Sequence, residues 1–249
     1  MNPTGRFSDR ARDYVAARPS YPDAAIDALF DGLGDAADVA VADLGAGTGI
    51  STRLLAQRGA VVYAVEPNAA MRAAAAPAPR IEWVDGTAEH TGLEEASIDL
   101  VTIFQAFHWF DHEEALREIT RILRPAGRAA LVYNERDESD AFTADYGATI
   151  RRHATDDTER RRERARAAFG SYRAWHAYRE LAFRNAQEFD LDGLLARARS
   201  SSYLPKEGAA GEALANDLRS VFAAYERDGT VTMRLATFVD VAETGADGG

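Results

Sequence analysis

The chain has no cysteine, which excludes disulfides, thiolate nucleophiles and cysteine-ligated metals. It has a single lysine, Lys206; its other strong bases are arginines, a bias of coding composition or salt adaptation that bears on no mechanism. No apolar run is long enough to span a membrane, and Met1 to Arg6 lacks the apolar core of a signal segment. A cytoplasmic protein without a membrane partner is therefore expected. Positive charge is also in deficit: the formal net charge is −11, which disfavours nucleic acid, since phosphate binding needs a basic field. No cluster has zinc-like ligand spacing, so no metal is expected. What is plentiful is apolar surface, 46% of 249 residues, enough for the core of one α/β domain with decorations.

The most informative stretch is Val39-Ala40-Val41-Ala42-Asp43-Leu44-Gly45-Ala46-Gly47-Thr48-Gly49-Ile50. A β-branched apolar run reads as a buried parallel strand. It ends in glycines spaced by two, and Ser51-Thr52-Arg53-Leu54-Leu55 opens a helix. Strand, glycine turn and helix start gather free backbone N–H groups at one point, where a polar ligand can lie against bare main chain. The dinucleotide fingerprint G-x-G-x-x-G would place its third glycine at position 50, which is Ile50. Asp43 at the strand end would repel a pyrophosphate but suits a cationic α-amino group. A second strand, Val61 to Val65, closes on Glu66, where doubly wound sheets place the acid that accepts a ribose diol. Adenosine with an amino-acid tail is S-adenosyl-L-methionine.

The segment 43–49, with Glu66-Pro67-Asn68 and Met71, resembles the class I S-adenosylmethionine-dependent methyltransferases, of the small-molecule type. The likeness continues through Asp85-Gly86-Thr87-Ala88-Glu89, Ser97-Ile98-Asp99-Leu100-Val101 and residues 118–127. It covers roughly the first 135 residues in order. It implies an α/β Rossmann-like fold: a doubly wound, mostly parallel seven-stranded sheet with an antiparallel edge strand and a helical lid insertion. One methyltransferase domain then fills 1–249. It divides into N-terminal cap helices (1–35), a cofactor-binding core (36–135), a helical lid with a substrate-facing loop (136–205), a final helix and edge strand (206–243) and a disordered tail (244–249).

Along the chain, Tyr14 and Arg18 share a helix face. The resemblance implies that they close the cofactor pocket, with Arg18 on the methionine carboxylate; a plain N-terminal clamp is the alternative. Ile81 to Val84 is the third strand. The turn Gly86-Thr87-Ala88 should grip the adenine, although Thr87 stands where relatives often carry an acid, and Met71 should pack on adenine or ribose, or in the core. Glu89 reads as a loop or cap acid. After the strand 98–104, Gln105 should face the cofactor. His108 should face the acceptor as a general base, or else hold the loop shape through a hydrogen bond. Trp109 is an apolar wall or core. Asp111 reads as an N-cap, with Glu114 completing a capping box. Residues 128–134 should form the fifth strand, and 137 to about 184 should be helical. Arg151-Arg152 and Arg160-Arg161-Arg162 read first as a solvated face held by i,i+4 pairs, with an anion-steering patch as the sharper reading. A short edge strand is expected at 183–189, and Asp190 is a cap for the helix that follows. Tyr203 touches the acceptor or is a buried tyrosine with a satisfied hydroxyl. The last strand, 230–241, should lie antiparallel at the sheet edge.

The expected reaction is in-line methyl transfer to a small-molecule acceptor, releasing S-adenosyl-L-homocysteine, by a monomer or homodimer. The protein's task is to align the nucleophile within about 3–3.5 Å and exclude water. A methyltransferase for protein or RNA is disfavoured by the acidic surface and by the absence of an Asn-Pro-Pro-Tyr motif. A non-catalytic binder of the cofactor or its product is the remaining alternative.

Overall fold

A computed structural model describes residues 20–246. Five parallel strands come first: β1 (Ala40–Leu44), β2 (Val61–Val65), β3 (Ile81–Val84), β4 (Ile98–Phe104) and β5 (Leu123–Arg136). The central strands β1 and β4 are mostly apolar and buried, because the sheet is covered on both sides there. Ala42, Leu44, Val101, Ile103 and Leu131 enter one core; their neighbours Val41, Leu100 and Val132 enter the other. Helices α1 (Asp23–Phe30) and α2 (Ile50–Gln57) lie on the second face; α3 (Ala69–Ala74) joins β2 to β3, and α4 (His112–Ile122) covers the first face.

Two further strands complete the sheet, β6 (Ala177–Phe189) and β7 (Val231–Glu243), in the order β3-β2-β1-β4-β5-β7-β6. β7 runs antiparallel between β5 and β6. The expected antiparallel final strand is therefore present, but it lies one place inside the edge. β6 is the edge strand and is much longer than the expected 183–189. Its inward residues Arg179, Leu181, Phe183, Asn185 and Gln187 alternate strictly with exposed ones. That period of two marks a strand, but mixed charge disguises it as a charged helix. β5 likewise outruns 128–134, because the chain is already extended at Leu123, directly after α4 ends.

Between β5 and β6 lie α5 (Ala141–His153) and α6 (Thr158–Gly170). α6 packs Ala165 and Phe169 onto the first core beside Phe107. α5 joins α7 (Leu191–Arg199) and α8 (Gly208–Tyr225) in a third core, with Tyr146, Leu194, Leu218 and Met233 among its members. This core sits past the carboxyl ends of the parallel strands, where β5, β6 and β7 overrun the sheet. Each large apolar side chain buried there contributes about 1.5–3 kcal/mol. The chain boundaries differ from the expected lid: 177–189 belongs to the sheet, while α8 belongs with the helices. In the expected tail, Thr244 N–H donates to the Gly127 carbonyl (2.9 Å) and Ala126 N–H to that of Gly245 (3.1 Å), extending the β5–β7 ladder. Residues 247–249 lie outside the described residues, as do Tyr14 and Arg18.

Candidate cofactor cleft and acceptor chamber

β1 is flanked by β2 and β4, so the strand order reverses at its carboxyl end and opens a crevice there. The glycine turn fills the mouth of that crevice. Gly45 has φ +70°, and a Cβ on it would stand 2.8 Å from the Ala106 Cβ and 3.1 Å from the Phe110 ring. Gly47 has φ +58° and faces open space, with only the Met71 methyl at 4.0 Å. The first glycine thus permits close packing, and the second leaves bare main chain toward the cleft.

Asp43 does not reach that space. It is wholly buried, and its carboxylate accepts from Ser51 Oγ (2.8 Å), Thr52 Oγ1 (2.6 Å) and Thr102 Oγ1 (3.1 Å). Thr102 is its register partner on β4. Burial pushes the Asp43 carboxyl up to about 6, against the hydroxyl bonds and with a contribution from Glu66. The expected direct role on an α-amino group is corrected: Asp43 ties β1, β4 and the first turn of α2 together beneath the glycines.

Glu66 does line the cleft. Its Oε2 accepts from Gly47 N–H and its Oε1 from Asn68 N–H, both at 2.9 Å. Each carboxylate oxygen retains a free lone pair. Burial raises the Glu66 carboxyl, opposed by those two backbone bonds and by the Arg72 charge. Asn68 also caps α3, accepting from Ala70 and Met71 N–H, and so presents Met71 to the cleft. Pro67, Met71, Thr87, Ala88 and Trp109 complete a cleft of about 220 Å³. Gly86 is not among its walls: a Cβ there would lie 2.7 Å from the Thr91 carbonyl, so its place is structural. Glu89 takes the cap function, since its Oε1 accepts from Asp111 N–H (2.9 Å) while Asp111 accepts from Glu114 N–H. Glu89 thereby replaces Glu114 as the reciprocal partner.

Beyond the glycine turn lies a second space of about 80 Å³. Gly45, Gly47, Phe104 and Gln105 border both spaces. Gln105 adopts φ +55°, a strained conformation for a non-glycine residue. Its Nε2 donates to the Asn134 carbonyl (3.1 Å), and its buried Oε1 has no acceptor-side partner. Thr48 Oγ1, on the same wall, is also buried without one. The chamber is completed by Tyr21, Asn134, Glu135, Arg136, Arg162, Arg197 and Tyr203. Tyr203 borders the chamber, and its carbonyl accepts from Thr155 N–H (2.8 Å). Among the described residues there is no group of three or more metal-ligating side chains.

Residues 42–131 match a family model described as a methyltransferase domain. Over that stretch the chain is similar to methyltransferase domains. An uncharacterised methyltransferase of Mycobacterium tuberculosis is 42% identical over 147 residues, 59% of this chain and 59% of that protein. The matched region thus spans about three fifths of these relatives. Among solved structures, a candidate type II methyltransferase of Anaeromyxobacter dehalogenans aligns over 92% of this chain and 98% of its own (TM-score 0.61, 23% identity). Phosphoethanolamine N-methyltransferase 2 of Haemonchus contortus, solved with phosphomonomethylethanolamine and S-adenosylhomocysteine, aligns over 95% of this chain and 58% of its own (TM-score 0.51, 17% identity). At these identities the structural likeness shows the fold.

His108 stands apart from the expected acceptor site. It lies in a single 3-10 turn, Phe107–Trp109, is 8% exposed, and its Nδ1 shares a hydrogen bond with the Tyr133 hydroxyl (3.3 Å). It borders neither the cleft nor the chamber. Burial pushes the Tyr133 hydroxyl well above its usual range, so that partner is neutral. His108 thus makes a hydrogen bond of the kind that the loop-holding alternative calls for. Trp109 does border the cleft, with the Arg161 guanidinium over its ring at 4.8 Å.

The arginine runs divide. Arg151 pairs with Glu138 and Arg152 with Asp217 at the surface, as a solvated face should. Arg161 and Arg162 turn inward instead, with side chains 21% and 16% exposed. The lining residues Asn134, Glu135 and Arg136 were overlooked in the sequence. Their signal was position, since they close β5 at the carboxyl edge, where ligands bind in such sheets.

Proposed function

We propose that the protein transfers a methyl group from S-adenosyl-L-methionine to a small-molecule acceptor and releases S-adenosyl-L-homocysteine. The observation that carries this reading is the Glu66 carboxylate, fixed by Gly47 and Asn68 N–H groups at the edge of an open glycine turn. An acid so held accepts two vicinal hydroxyls with little reorganisation. Pro67, Met71, Thr87 and Ala88 would flank the adenine, and the bare main chain at Gly45 and Gly47 would lie along the amino-acid tail. The orphaned Gln105 Oε1 and Thr48 Oγ1 fit a ligand that carries donors on that tail. Tyr14 and Arg18 are proposed to close this end of the pocket.

When bound, the cofactor supplies a methyl carbon activated by its sulfonium. The residues around it bind, orient and exclude water, and no described side chain in the chamber is required to be a metal ligand. A small acceptor is favoured because this second space is small, about 80 Å³, and is bordered by Tyr203 and by arginines from three elements. The protein is taken to act in the cytoplasm, as a monomer or homodimer, on a free metabolite.

Calorimetry tests the cleft first. S-adenosyl-L-homocysteine should bind with one-to-one stoichiometry and NAD should not. Methyl transfer from labelled cofactor to a metabolite panel then tests the activity. Product binding without transfer to any acceptor would favour a non-catalytic role, and NAD binding in its place would remove the donor assignment.

A further inference from the structure

The chamber beyond the glycine turn concentrates positive charge within an acidic protein. Arg136, Arg162 and Arg197 line it, against one acid, Glu135, in a chain of net charge −11. The three come from unrelated places: the end of β5, the second turn of α6 and the last turn of α7. Arg136 is held from behind by Glu159 and Glu138. Burial acts to weaken its charge, but nearby Tyr203, Glu159 and Tyr146 outweigh burial and raise its pKa, so it stays cationic. Arg162 Nη1 stands 3.6 Å from Glu135 Oε2, and its buried Nε–H has no acceptor. A buried donor left unsatisfied costs about 1–3 kcal/mol, more when charged. Sites that carry such a cost are commonly completed by a ligand. Guanidinium forks match a planar carboxylate in geometry as well as charge.

A second observation concerns proton transfer. Among the described residues bordering the cleft and chamber there is no histidine, lysine or cysteine. The acids there are already engaged: Glu66 with Gly47 and Asn68, Glu89 with Asp111, and Glu135 facing Arg162. His108 is turned to Tyr133. An alcohol or ammonium acceptor would need a base, whereas a carboxylate arrives deprotonated.

We infer that the chamber seats a small organic acid and that the methyl group is delivered to a carboxylate oxygen, giving a methyl ester. This rests on the methyltransferase reading above and names its acceptor class. A lone pair of the carboxylate oxygen forms the new bond to the methyl carbon as the carbon–sulfur bond breaks and its electron pair stays on sulfur. No proton moves. An anion and a sulfonium become a neutral ester and a neutral thioether. Charge is dispersed as the reaction proceeds, so a chamber shielded from water favours it. Each carboxylate oxygen has two lone pairs, so arginine can hold one while the other attacks.

The test uses the full chain and separates the acceptor from the cofactor's own carboxylate. Calorimetry measures S-adenosyl-L-homocysteine affinity in the native protein, Arg162→Gln and Arg197→Gln, with thermal unfolding as the check on folding. The product complex is then titrated with aliphatic mono- and dicarboxylic acids of up to six carbons, their amides, and phosphate monoesters. Expected is binding of at least one acid and of no amide. Acid affinity should fall about tenfold or more in either variant, as lost charge-assisted bonds predict, while product affinity stays within about twofold. The labelled methyl product should be released by mild alkali, as an ester is. A fall in product affinity would assign the arginines to the cofactor and overturn the inference. Selection of phosphate monoesters, equal binding of amides, or an alkali-stable product would overturn it too. If the product does not bind the native protein, the methyltransferase reading fails; if a neutral acceptor is methylated, only the acceptor class fails.

Discussion

Asp43 is an ionisable group enclosed by three hydroxyls, and its titration is a stability statement. Burial is the largest influence and lifts its carboxyl from 3.8 to about 6, despite bonds from Thr52, Ser51 and Thr102. Because the folded pKa exceeds the unfolded one, its contribution is most favourable below about pH 4. That contribution is lost as pH rises through 6. Two units correspond to about 3 kcal/mol. Asn at this position keeps a hydrogen-bonding amide, since hydroxyls both donate and accept, but cannot ionise. Asp43→Asn should therefore gain on the native protein by up to about 3 kcal/mol between pH 4 and 7 in urea unfolding. Parallel pH profiles would reject the buried-charge account. Glu66 is the contrasting acid, engaged by backbone on one side and open on the other. Glu66→Ala should weaken S-adenosyl-L-homocysteine binding by about 10–100-fold in calorimetry, the value of one or two hydrogen bonds to a charged group. Glu66→Gln, which retains an acceptor for Gly47, should fall between. Unchanged affinity in the alanine variant would end the ribose role.

The elements differ in how openly the sequence declares them, and the reason is physical. Strands β1, β2 and β4 are mostly apolar because both of their faces are largely buried, and the glycine turn is marked by residue type. These were legible. β6 was not, because an edge strand with a half-exposed inner face carries arginine in both phases and glutamate in the outer one. The cleft acids divided in the same way. Glu66 was legible as the residue closing β2, but Asp43 looked like a ligand because Ser51 and Thr52 read only as a helix start and its third hydroxyl partner, Thr102, lies 59 residues away. Arg162 hid within a run of arginines whose common fate is the solvent. Arg166, four residues on, shows what else α6 does. It makes two bonds of 2.7 Å to Asp240 of β7, whose side chain is fully buried. Arg166→Met would leave that carboxylate without its guanidinium, at a cost of about 3–5 kcal/mol in urea unfolding. Arg166→Met with Asp240→Leu should recover most of the loss. A single variant within about 1 kcal/mol of the native protein would mean that the pair does not hold α6 to the sheet.

At the scale of the molecule, the two spaces lie where three cores meet. The cleft is walled by elements of the first two cores, whereas the chamber also draws on Arg197 of α7 and Leu235 of β7, which belong to the third core's elements. That third core is built from short helices and from strand ends that overrun the sheet. Its backbone bonds are mostly local to each helix, while β1 and β4 are bonded on both sides along their length. Local opening follows such differences in packing and bonding. Amide hydrogen exchange should therefore show α5, α7 and α8 opening at lower free energy than β1 and β4. A ligand confined to the cleft would slow exchange at the glycine turn and around Glu66. One that also fills the chamber must slow α7 as well, because Arg197 is carried there. Adding S-adenosyl-L-homocysteine alone should protect residues 45–49 and 66–71, and adding an acceptor should extend protection to residues 191–199. Uniform exchange across all three cores would show that they open as one unit, and the chamber's occupancy could not then be coupled to a separate motion of its wall.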